Sequence, residues 1–319
     1  MVNPIKDISN FIKSITTAYK KASLWGKVLV FTVLLLLVVI SFKGLRSNVM
    51  SEGFEQNDKF LLKSGAGIYD DFYANIYDYL VFNNLKDEYE VGQIINKTSP
   101  SSQSKILDIG SGTGHHVAYL GAKNLDVLGI DISPSMVKKA QENYPDYKFE
   151  QKDATVAESF GPSTFTHILC LYFTIYYFDD KAKFFANCKE WLKPGGYLIV
   201  HLVDREKFDP ILPPGNPLMF VSPQKYAKER ITSTKVKFND FAYSADFQLD
   251  EANNVAKFVE KFKDDKSGKI RKNEHTLYME DTTQIVQQAQ DAGFFLEGKV
   301  DLIQCQYEYQ YLYIFVVPN

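Results

Sequence analysis

Ile106-Leu107-Asp108-Ile109-Gly110-Ser111-Gly112-Thr113-Gly114 is an apolar run of four that breaks into three alternating glycines. The run predicts a buried strand over 106–109, and His115–Ala122 after it predicts a helix. Glycine there lets backbone N–H groups come close to a ligand. In an open α/β sheet the carboxyl end of a strand, where a helix begins, is where ligands bind. Outward from this point the pattern repeats. Val127–Ile130 predicts a second strand. Pro134–Tyr144 predicts a helix, with Ser133 as its N-cap and Pro134 at its first position. Strands are expected over 147–151, 165–172 and 197–202, with a helix over 181–192 that ends before Lys193-Pro194-Gly195-Gly196. Strands alternating with helices at this spacing predict βαβ crossovers and a mostly parallel sheet.

Two carboxylates complete the motif. Asp131 ends the second strand, 17 residues after Gly114, where it can accept both hydroxyls of a ribose. Asp153 ends the third strand, in reach of an adenine amino group. The third glycine comes one residue earlier than in the dinucleotide fingerprint G-x-G-x-x-G. The spacing therefore suits a ligand with ribose and adenine but no pyrophosphate on a helix N-terminus.

D-x-G-x-G-x-G, Asp131, Asp153-Ala154 and Lys-Pro-Gly-Gly together resemble the class I S-adenosylmethionine-dependent methyltransferases, over roughly residues 65–319. The resemblance implies an α/β Rossmann-like fold, a mostly parallel seven-stranded sheet with helices on both faces. It implies S-adenosylmethionine as cofactor. Gly110, Gly112 and Gly114 would line its methionine moiety, with Asp108 near the amino group. Asp131 would hold the ribose, Ile132 and Met136 would flank the adenine, and Asp153 with Ala154 would read its edge. The layout is similar to small-molecule N-methyltransferases of the amino-sugar and glycine/sarcosine type. In those an amino-terminal tyrosine segment, here Tyr69, Tyr73 and Tyr77, closes over the cofactor.

After strand five the pattern changes. Phe241, Tyr243, Ala245, Phe247 and Leu249 alternate with polar residues, the period of a half-buried strand. Val255–Phe262 and Ile270–Met279 predict a hairpin with a solvated charged tip. Residues 205–280 are thus expected to form an antiparallel β insert on the substrate side. Thr282–Ala292 predicts a helix, and 294–300 with 309–317 a closing strand pair.

A sulfonium methyl is already electrophilic, so such an enzyme mainly positions a nucleophile. An amine acceptor must first be neutral, which a base or a desolvated pocket can arrange. His201, Tyr172 and Tyr176 are the catalytic candidates at the strand ends, with Tyr177, Asp204 and His275 behind them. His115 and His116 are adjacent on a helix, point in different directions, and have no carboxylate at ligand spacing. No metal is expected.

Residues 28–42 carry no charge. Residues 24–43 predict a transmembrane anchor, with Trp25 at the interface and Lys27 snorkelling. Residues 1–23 are an amino-terminal tail, and 44–64 a polar tether to a methyltransferase domain over 65–319. The expected setting is a single-pass membrane protein with its domain in the cytosol, where S-adenosylmethionine is made. With 36 Lys+Arg against 39 Asp+Glu, there is no global excess of positive charge for nucleic-acid phosphates. The three cysteines fit neither a disulfide framework nor a zinc site. Three functions remain open: methyl transfer to a small-molecule N or O acceptor, transfer to a lipid or quinone headgroup, and a non-catalytic cofactor-binding adaptor.

Overall fold

The computed structural model describes residues 23–33, 35, 58–212 and 223–319. Residues 24–33 are helical, and Leu24, Trp25, Leu29 and Phe31 are exposed along them. Among the described residues no helix is long and apolar enough to cross a membrane. The expected tail up to residue 22, residue 34 and the run 36–57, which hold the second half of the expected anchor and most of the tether, lie outside the described residues.

From residue 58 onward the chain builds two sheets. The first has seven strands in the order β11-β12-β6-β5-β2-β3-β4. Here β2 is Lys105–Ile109, β3 Asp126–Asp131, β4 Lys148–Gln151, β5 Phe165–Cys170 and β6 Leu192–Val203. These five run parallel to one another. Strands β11 (Phe295–Asp301) and β12 (Gln310–Val316) close the edge antiparallel. This is the Rossmann-like arrangement that the strand–helix alternation predicts. Along β2, Leu107 and Ile109 enter one core layer and Ile106 enters the other. Helices α1 (Asp71–Val81) and α2 (Asn84–Thr98) precede this sheet. The layer that takes Ile106 also takes Val91 and Ile94 of α2, Val117 of α3 (His115–Gly121) and Ala140 of α4 (Pro134–Asn143). The opposite layer takes Phe184, Phe185 and Trp191 of α5 (Lys181–Trp191) and Ile285 of α6 (Thr282–Asp291). Each of those aromatic rings contributes roughly 1.5–3 kcal/mol by leaving water. Ser133 caps α4 as expected, its hydroxyl accepting from the Met136 N–H at 3.1 Å.

The second sheet differs from the antiparallel insert expected over 205–280. It has five strands in the order β1-β10-β9-β8-β7. Strands β7 (Ser233–Lys237), β8 (Phe241–Asp250), β9 (Val255–Asp264) and β10 (Ile270–Tyr278) are antiparallel. Its edge strand β1 is Phe60–Ser64, which pairs parallel with β10 over Ile270–Glu274. The polar tether expected over 44–64 therefore ends in a strand. The apolar run Phe60-Leu61-Leu62 finds a partner more than 200 residues later, which no local pattern announces. The inner face of this sheet carries Phe247, Phe258, His275 and Leu277 toward a cavity that the first sheet also lines.

Candidate active site

The cavity holds about 610 Å³, within the roughly 300–1,000 Å³ of ligand pockets. One wall comes from the strand ends of the first sheet. Gly110 and Gly112 line it with φ of 70° and 55°, a left-handed backbone that side chains disfavour. A Cβ on Gly110 would stand 2.5 Å from the Thr174 methyl. Asp131 ends β3 and accepts from the Gly112 N–H at 3.1 Å and the Ser133 N–H at 2.9 Å. Burial pushes its carboxyl up to about 6 against the pull of those N–H groups. Asp153 is fixed by the Thr155 N–H at 2.8 Å and hydroxyl at 2.7 Å, both through Oδ1. Ile132, Met136 and Ala154 complete this wall. Tyr69 lies across it, its backbone carbonyl accepting from the Ser133 hydroxyl.

Two residues of the motif are placed differently from the expectation. Gly114 has φ of 94° and does not line the cavity; a Cβ there would meet the Phe149 ring at 2.7 Å. Its requirement is close packing of loop on strand. Asp108 lines a smaller cavity of about 70 Å³, shared with Lys86, His116 and Tyr172. Burial pushes its carboxyl up to about 7, and His116 pulls it back.

The catalytic candidates separate. Tyr172 lines the cavity, with φ of 50° and the Lys86 ammonium 5.1 Å from its ring. His201 and Tyr176, the other two catalytic candidates, do not line it. His201 is fully buried, with Nδ1 against the Tyr172 carbonyl and Nε2 3.0 Å from Gln310 Oε1. Burial lowers its pKa to about 4, so it stays neutral. The Tyr176 hydroxyl accepts from the Val203 N–H at 2.8 Å in the core. Both side chains brace the ends of β5 and β6. Asp204 is likewise absent from the lining residues.

A different constellation occupies the second wall. Tyr69 donates to the Tyr177 hydroxyl at 2.7 Å, and the Tyr177 hydroxyl lies 2.8 Å from His275 Nδ1. His275 Nε2 is 2.9 Å from Glu260 Oε2. Glu260, on β9, is fully buried and also accepts from Tyr243 at 2.8 Å and Asn273 at 3.2 Å. Burial would raise its carboxyl, but the hydrogen bonds from His275, Asn273 and Tyr243 outweigh that and leave it below the usual range. An ionised carboxylate only accepts, so Nε2 carries the His275 proton and Nδ1 accepts from Tyr177. Arg271 extends the network from Asn273 to both oxygens of Asp70 at 2.9 Å, tying β10 to the N-cap of α1. Sequence reasoning ranked His275 low and passed over Glu260, which stands between Val259 and Lys261 in the first strand of the expected hairpin. The alternation through Phe258, Glu260 and Phe262 was the available signal.

His116 is not isolated either. Asp87 and Glu90 from α2 approach it, the Glu90 contact at 2.9 Å, and the three could hold a metal ion. The Lys86 ammonium already sits 2.7 Å from Glu90 Oε2, however. Burial lowers the His116 pKa, but Asp87 and Glu90 more than offset it and raise it to about 9. Two cations thus already balance the carboxylates.

Residues 107–200 match the family described as methyltransferase domain. Phosphoethanolamine N-methyltransferase 1 of Triticum aestivum is 33% identical over 113 residues, 34% of this chain and 22% of that protein. The ubiquinone biosynthesis O-methyltransferase of Xylella fastidiosa is 30% identical over 117 residues, 35% of this chain and 46% of that protein. The chain thus spans under half the length of either relative. An S-adenosylmethionine-dependent methyltransferase from Clostridium acetobutylicum superposes with a TM-score of 0.59 at 17% identity, over 77% of this chain and 98% of that one. The sheet order is that of the Rossmann-like methyltransferase fold, which the superposition shares. Residues 107–200 carry a methyltransferase domain, whose cofactor is S-adenosylmethionine.

Proposed function

We propose that the chain transfers a methyl group from S-adenosylmethionine to a small-molecule hydroxyl or amine. The observation that carries this is one cavity with two unlike walls. Gly110, Gly112, Asp131 and Asp153 line one; Tyr177 and His275, backed by Glu260, line the other. When bound, the cofactor supplies an electrophilic methyl group on a sulfonium. Asp131 would accept from the ribose, Asp153 and Ala154 would meet the adenine edge, and Ile132 and Met136 would flank the ring.

The chain's own part is to orient the acceptor and take its proton. Tyr177 passes its hydroxyl proton to His275 Nδ1 as it receives the acceptor's proton. His275 becomes a cation, and Glu260 stabilises it at 2.9 Å. Such base catalysis contributes about 10²–10⁴-fold. Around this relay the acceptor space is walled by Tyr73, Phe208, Ile211, Phe247, Phe258 and Leu277. Among the described lining residues the only lysine or arginine is Lys152, next to Asp153 at the cofactor end. That composition favours an uncharged aromatic or quinone-like acceptor, or an amine held against aromatic faces, over a phosphorylated one. The exposed apolar side chains on helical residues 24–31 support a membrane anchor, and the domain is placed in the cytosol because S-adenosylmethionine is made there.

The test is an acceptor screen with methyl-labelled cofactor and the full chain, over polar metabolites and lipid extracts. With the acceptor found, His275→Asn should lose about 10²–10⁴-fold in turnover, with S-adenosylhomocysteine binding within about twofold. Unchanged turnover in His275→Asn would remove the relay. No transfer to any acceptor by the native chain would remove the enzyme.

A further inference from the structure

The outer face of the five-stranded sheet is a second surface with its own chemistry. The pairing register aligns residues across it. One rung reads Leu62, Lys272, Lys261, Ser244, Lys235. The next reads Phe60, Ile270, Lys263, Ala242, Lys237. Paired residues share a face, so five lysines stand in two adjacent rungs that contain no carboxylate. Phe60 and Leu62, 53% and 51% exposed, lie at the edge of the same rungs. Of the acids of this face, Asp246 and Glu274 stand in the next rung and Asp250 at the far end, with Lys257 between them. Lys272 pairs with Glu274 and Lys237 with Asp265, while Lys235, Lys261 and Lys263 have no ion-pair partner among the described residues. All this lies on a chain whose net charge is −3. Lysines placed only to block edge pairing would sit on the outermost strands, as Lys235 and Lys237 do on β7. Here Lys261 and Lys263 are on β9, in the middle of the sheet.

We propose that this face docks on an anionic lipid surface, with the lysines over the headgroups and Phe60 and Leu62 at its margin. The charge pattern alone calls for a polyanion. The choice of lipid rests on the anchor reading above: the uncharged run 28–42 ends 17 residues before Phe60. Seventeen residues span at most about 60 Å, so a chain held in the bilayer keeps this sheet within reach of it.

The experiment uses the full chain with phosphatidylcholine vesicles and with vesicles containing phosphatidylserine. Flotation reads the anchor, and acylation of lysines by a water-soluble reagent reads the face. Each lysine near an anionic surface gains roughly fivefold in attraction, so Lys235, Lys261 and Lys263 should lose at least about threefold in reactivity on phosphatidylserine vesicles only. Lys138 and Lys148, with side chains 68% and 74% exposed, should react equally on both. The protection should fade in high salt, and K235E/K261E/K263E, which alters only this outer surface, should abolish any preference for phosphatidylserine. A chain that floats with both vesicles yet shows equal reactivity overturns the docking face and leaves the anchor. A chain that floats only with phosphatidylserine vesicles and shows protection overturns the anchor and keeps the face. Protection of the same lysines by added RNA but not by vesicles overturns the lipid assignment.

Discussion

Lowering the pH from 8 to 5 should weaken binding of S-adenosylhomocysteine to the full chain by about tenfold through Asp131 alone. The ribose hydroxyls require an ionised acceptor, and burial has raised this carboxyl to about 6. At pH 5 only about one molecule in eleven then carries the ionised form, which is worth roughly 1.4 kcal/mol. Asp131→Asn keeps the size and one acceptor oxygen but has no proton to lose. It should bind about ten- to a hundredfold more weakly at pH 8, having lost a charged acceptor. Between pH 8 and 5 its affinity should fall about tenfold less than that of the native chain. Asp108, raised to about 7, titrates in the same window but does so in both proteins, so the difference isolates Asp131. Calorimetric titration across the range, with circular dichroism at each pH to confirm folding, measures this. Identical pH dependence in the two proteins would refute the assignment of Asp131 to the ribose.

Gly114→Ala should lower stability by about 1–3 kcal/mol, through positive φ and a Cβ 2.7 Å from the Phe149 ring; denaturant melts measure it, and an unchanged midpoint would contradict the packing role. His116, raised to about 9 from an ordinary value near 6.5, is charged in the folded state where the unfolded chain is neutral. Its stabilisation of up to about 3 kcal/mol is fully present below pH 6.5 and lost as pH rises through 9. His116→Gln should flatten that decline in urea titrations between pH 6.5 and 9.

The glycine-and-carboxylate wall of the cavity was legible because its information is local. Gly110, Gly112, Asp131 and Asp153 lie at consecutive strand ends, and strand periodicity alone fixes which ends converge. Gly114 was misplaced within this wall because a glycine needed for packing on Phe149 reads the same as one facing a ligand. The opposite wall was not legible, because its geometry comes from pairing between distant segments. Tyr177 meets His275 across 98 residues and Tyr69 across 108. His201 looked reactive at the end of a central strand until Gln310, 109 residues later, was seen to occupy its second nitrogen. Glu260 drew no attention because the lysines beside it face the other side of the sheet.

The parallel pairing of Phe60–Ser64 with β10 sets an order of events during synthesis. Residues 65–269 must be made before β1 can find its partner. At about 5–20 residues per second that takes roughly 10–40 s. For that interval Phe60, Leu61 and Leu62 form an edge without a neighbour, open to pairing with another chain. The stretch 107–200 leaves the ribosome well before Glu260 and His275. The nascent chain therefore carries the glycine loop, Asp131 and Asp153 before it carries the Glu260–His275 pair of the opposite wall.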